Sequence, residues 1–126
     1  MSKNSPEANA GLRRERDSLA GYLEAMLGDD GVFLFPTHPT PAPYHNRPIV
    51  TLADCAYTII YNVLGLPATA VPMGLATAEG VPVGVQIIAG RHRDCLNLAV
   101  AVELELAFGG WVPPFPTDEQ TSSQRV

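Results

Sequence analysis

The sequence predicts an α/β fold, a partial mixed sheet flanked by helices. Three observations carry that expectation. Segments with helical 3.6-residue periodicity alternate with short continuous apolar runs, the pattern of a sheet covered by helices. Glycine or proline stands at nearly every changeover between them. The 126 residues are 46% hydrophobic and 17% charged, a globular composition that fits one domain.

Ser5-Pro6-Glu7 is a helix start, with Ser5 as N-cap and Pro6 where a missing N–H costs nothing. Leu12, Leu19, Leu23, Met26 and Leu27 recur at helical spacing, opposite a polar stripe of Arg13, Glu15, Arg16 and Asp17. Gly28 closes this helix, and Asp29-Asp30-Gly31 makes a turn. Val32 to Phe35 is a continuous apolar run ended by Pro36, which suits a strand covered on both faces. Pro36-Thr37-His38-Pro39-Thr40-Pro41-Ala42-Pro43 is a stiff loop, because each proline drives its predecessor toward extended geometry.

Thr51-x-x-Asp54 is a variant capping box, and the helix it opens runs from Leu52 to Leu64 and ends at Gly65. Strands follow over Ala68–Val71 and Val83–Ile88, with Pro72 and Pro82 expected at their ends, where no ladder donor is lost. Their link is too short for a parallel crossover. Asp94 is placed to cap a last helix, Cys95 to Phe108, before Gly109-Gly110. That helix is apolar on nearly every side, which implies heavy burial. The strands and this helix need more cover than three helices supply, so apolar surface stays open unless another segment or subunit packs there. Residues 1–5 are expected to form a flexible N-terminus, 6–114 the folded segment and 115–126 a disordered tail.

Charge and cysteine usage narrow the function. Net charge is −5 and the eight basic residues form no long run, which argues against a nucleic-acid or anionic-membrane surface. Arg13, Arg14 and Arg16 alternate with Glu15 and Asp17 and read as a solvated helix face. Cys55 and Cys95 form no CxxC motif and read as packed, reduced thiols. No N-terminal apolar stretch precedes a cleavage site and no run approaches a membrane span, so a cytosolic location is the default expectation.

Catalytic groups are sparse. No serine stands in a GxSxG or glycine-rich setting that would present a hydroxyl beside backbone donors. The only lysine is Lys3. His38 and His45 lie on or near the proline loop, where they either line a cleft or bond to backbone. His92, in Arg91-His92-Arg93-Asp94, reads as part of a helix N-terminal turn. No histidine pair has metal-ligand spacing, and no phosphate-binding glycine motif is present.

Four pieces in order carry a resemblance: Phe35 to Pro43; Tyr57-Thr58 through Gly65-Leu66-Pro67; Gly80-Val81-Pro82-Val83-Gly84-Val85-Gln86; and Phe108-Gly109-Gly110-Trp111-Val112. Together they resemble the C-terminal portion of the amidase signature family, nearest its fatty-acid amide hydrolases. The first helix fits in position, while the two chain ends do not match. The resemblance implies one large α/β domain whose Ser-Ser-Lys centre hydrolyses amides without metal or cofactor. Lysine and a bridging serine relay the proton and backbone N–H groups hold the oxyanion.

No catalytic residue of that centre maps onto this chain. The resemblance places Tyr57, Thr58 and Tyr61 on a helix lining the acyl channel; their bland reading is core aromatics with satisfied hydroxyls. It implies as partner the missing N-terminal catalytic portion or another subunit, with a lipid amide as substrate of the complete enzyme. It also leaves room for a membrane anchor upstream. Two rivals remain: a non-catalytic binding or assembly module that docks through an apolar face, and a small enzyme using Cys95 and His92.

Overall fold

A computed structural model describes residues 5–46 and 52–113. Helix α1, Pro6–Leu27, starts as the sequence dictates: Ser5 is extended and its hydroxyl accepts from the N–H of Ala8 at 3.2 Å. Strand β1, Val32–Pro36, follows the turn. A 3-10 turn over Leu52–Cys55 leads into helix α2, Ala56–Leu64, which Gly65 ends in the left-handed region. The expected single helix from Leu52 is thus tightened through its first turn. Thr51, half of the expected capping box, lies outside the described residues, as do residues 1–4 and 114–126.

Strands β2, Ala68–Leu75, and β3, Pro82–Ala89, form a hairpin closed by two backbone bonds, Ala76 N–H to Val81 and Gly80 N–H to Ala76. The sheet order is β1-β3-β2, and both pairings are antiparallel. Pro72 lies inside β2, not at its end. It is tolerated because β2 is an edge strand among the described residues, where proline's missing donor breaks no ladder on the free side. Opposite it stands Gly84, where a Cβ would come within 2.6 Å of the Val71 carbonyl oxygen. The register then slips between Pro72 and Leu75, a bulge that contains Gly74 at φ 98°.

Consecutive β3 residues face opposite ways, so the pair Ile87–Ile88 divides the core. Ile88 packs with Ala20 of α1, Tyr61 and Leu64 of α2, and Leu66, with Leu23 and Phe35 at the margin. Ile87, fully buried, faces the other side, where helix α3, Asp94–Phe108, lies on β2 and β3. The result is three layers: α1 and α2, the sheet, and α3.

Arg91 ties the layers together. Its guanidinium donates to the carbonyl of Leu64, an orphan of the α2 C-terminus, at 3.0 Å, and lies 3.4 Å from Glu24 of α1. Arg93 pairs with Asp29 in the turn after α1.

Four further expectations are corrected. Asp94 is the first residue of α3, not its cap; Arg93 occupies the cap position and makes no side-chain capping bond. Cys55 and Cys95 are unpaired and exposed, not packed. Their segments turn them outward, because helical residence alone does not place a side chain inside. Heavy burial of α3 and two-sided cover of β1 are also absent among the described residues: Leu98, Val102, Leu106 and Phe108, with Phe33 and Leu34, are exposed. The expected open apolar surface is real.

Candidate functional site

Tyr57 and Tyr61 stand four residues apart on α2 and therefore share one face of it. That face meets β1. The Phe35 ring lies 5.1 Å from Tyr57 and 6.2 Å, edge-on, from Tyr61, and Phe33 stacks on Phe35 at 5.6 Å. Tyr61 is buried and Tyr57 half-buried. Burial pushes the Tyr61 phenol above its ordinary pKa, since a phenolate there would lose solvent. Thr58 is half-buried, and its hydroxyl donates back to the Cys55 carbonyl at 3.2 Å, securing the junction between the 3-10 turn and α2.

The residue that organises this cluster is Gln86, which sequence reasoning quoted only within a motif. It is a buried amide in an otherwise apolar strand. Its Nε2 donates to the carbonyl of Tyr57 at 2.6 Å and to the carbonyl of Pro36 at 3.0 Å. One side chain of β3 thereby fixes both the first turn of α2 and the point where the proline loop leaves β1. The available signal was the polar interruption of Val83-Gly84-Val85-Gln86-Ile87-Ile88, because a buried amide requires partners.

Beyond Pro36 the loop diverges from the sheet and leaves an open groove of about 460 Å³ between residues 36–43 and Pro82–Val85. Its walls are mainly proline and valine. Thr37, His38 and Thr40 supply its polar groups, and the Thr37 hydroxyl oxygen is buried without a hydrogen-bond partner among the described residues. His38 folds back on its own loop: Nδ1 lies 2.9 Å from the Thr40 carbonyl oxygen, and Nε2 lies 3.8 Å from the Asp54 carboxylate. The groove and the aromatic cluster meet at Pro36, but Tyr57, Thr58 and Tyr61 do not line the groove. The structure brings the two tyrosines together with Phe35, while Thr58 spends its hydroxyl on the backbone.

Among the described residues, neither feature includes a serine or a cysteine. Of the described serines, Ser5 caps α1 and Ser18 is exposed in its middle. His92 adopts φ 62° in the turn before α3, and no hydrogen bond joins it to Cys95 among the described residues. Among those residues no group of three or more His, Cys, Asp or Glu side chains could hold a metal ion. No described helix is long and apolar enough to cross a membrane.

The family model described as Amidase matches residues 1–98, which includes the N-terminal end that the motif resemblance left out. Fatty-acid amide hydrolase 2-A of Danio rerio is 51% identical over 106 residues, covering 84% of this chain and 20% of that protein. Fatty-acid amide hydrolase 2 of Homo sapiens is 53% identical over 98 residues, covering 78% and 18%. A solved structure of 6-aminohexanoate cyclic dimer hydrolase complexed with substrate superposes with a TM-score of 0.67 at 29% identity, covering 84% of this chain and 25% of that one. The chain thus spans about a fifth of the length of these curated relatives.

Proposed function

The chain belongs to the amidase family, and from that premise we propose that it is the C-terminal portion of an amide hydrolase of the fatty-acid amide hydrolase 2 kind. It supplies scaffold and pocket wall, while the reacting groups reside in the portion it lacks. The carrying observation is identity above one half to two fatty-acid amide hydrolases 2, over most of this chain but only about a fifth of theirs. The parent reaction is serine-dependent hydrolysis of a lipid or aryl amide.

Amide hydrolysis needs an activated hydroxyl, a proton relay and donors for the developing oxyanion. This chain has one lysine, Lys3, and no serine in a glycine-rich turn. Its histidine nearest a groove is engaged by Thr40 and Asp54. The chain alone is therefore inactive. Its contribution is shape. Phe35 and the half-buried Tyr57, backed by the buried Tyr61 and tied down by Gln86, form an aromatic wall suited to an apolar acyl chain, with Thr58 beside them on α2.

The test is incubation of the purified 126-residue chain with a fatty-acyl anilide. The expected result is no aniline above a protein-free blank. Release that scales with protein concentration refutes the reading.

A further inference from the structure

Helix α1 carries two apolar arcs, and the described residues cover only one. Ala20 and Leu27 are buried and Leu23 packs at the core margin, so these three turn inward. Ala8, Leu12, Glu15, Leu19, Tyr22 and Met26 form a second line with spacings of four, three, four, three and four residues. That alternation is the a/d seam of helices packed nearly parallel, at about 20°. All six residues are exposed, Leu12 by 55%, Leu19 by 43%, Tyr22 by 69% and Met26 by 56%. A surface helix needs one apolar stripe to dock on its own core; a second at heptad spacing is surplus unless another helix covers it.

Building on the family reading above, we propose that this seam receives an amphipathic helix from the part of the amidase domain outside this chain. The occupant carries apolar residues at the same spacing and a Lys or Arg opposite Glu15. Two observations select it. The relatives extend far beyond the matched segment, of which α1 is a part, so most of their polypeptide lies elsewhere. Glu15 stands within the apolar line and makes no ion pair among the described residues. A carboxylate enclosed in a seam requires a cation. A second copy of this chain does not provide one: a parallel pair sets Glu15 against Glu15, and an antiparallel pair centred on the seam sets it against Leu19.

The experiment measures fluorescence anisotropy of labelled overlapping peptides that cover the Danio rerio relative outside its matched segment, titrated with the 126-residue chain. At least one peptide with apolar 3-4 spacing and a basic residue is expected to bind. Leu19→Asp, at an exposed position where circular dichroism should remain unchanged, should weaken that binding by about tenfold or more. Glu15→Lys should weaken it too, and changing the peptide's basic residue to Glu should restore it.

Absence of any binding peptide overturns the proposal. So does binding indifferent to Leu19→Asp, or a dimer of the chain in light scattering that Leu19→Asp dissolves. Anilide hydrolysis by the isolated chain would sink the family-portion reading without touching this result, which is read by binding alone.

Discussion

Replacing Gln86 with Met keeps the length and volume of the side chain but removes its two donated hydrogen bonds, to Tyr57 at 2.6 Å and Pro36 at 3.0 Å. The two carbonyls do not suffer equally. The Tyr57 carbonyl belongs to the first turn of α2 and keeps access to the helix ladder, whereas Pro36 is the last residue of β1 and loses a partner at the sheet's end. Each net hydrogen bond contributes about 0.5–1.5 kcal/mol, and an orphaned buried carbonyl adds to the loss, so Gln86→Met should destabilise by about 2–3 kcal/mol. Burying a thioether where the amide stood returns part of that. Against the roughly 5–15 kcal/mol of a typical domain this is a large fraction. Urea unfolding followed by far-ultraviolet circular dichroism reads it as a lowered midpoint at constant slope. A midpoint equal to that of the unaltered chain refutes the claim that Gln86 holds the aromatic wall and the proline loop together.

Gly84→Ala should cost about 1–3 kcal/mol in the same assay, because its Cβ would sit 2.6 Å from the Val71 carbonyl oxygen and force β2 from β3; unchanged stability contradicts the close approach. Tyr61 gives a pH signature. Its folded pKa lies above the unfolded value near 10, so the neutral phenol's contribution is intact below pH 10 and fades as pH rises through the folded value. The urea midpoint should therefore fall more steeply above pH 10 in the unaltered chain than in Tyr61→Phe. Parallel curves refute burial as the cause.

Chain-local signals were legible because they depend on a few adjacent residues. Ser5 followed by Pro6 specifies where α1 begins whatever packs on it, and Gly65 and Gly109 end α2 and α3 in the left-handed region that glycine enters freely. The brief link between the hairpin strands required antiparallel pairing, and the ordered motifs from Phe35 to Gln86 identified the family. Pro72 escaped this reasoning. Its tolerance depends on β2 lying at the sheet edge and on Gly84 opposite, a residue twelve positions away.

Periodicity alone assigned Leu12, Leu19, Leu23, Met26 and Leu27 to one stripe. The tertiary structure splits them, with Leu23 and Leu27 against the core and Leu12, Leu19 and Met26 turned to solvent. Spacing determines which residues share a helical face, since that follows from 100° per residue. Which arc touches the rest of the chain is settled by how α1, α2 and β3 pack, and the same packing lets Gln86 reach two carbonyls from separate elements. Those are long-range contacts, and no local pattern encodes them.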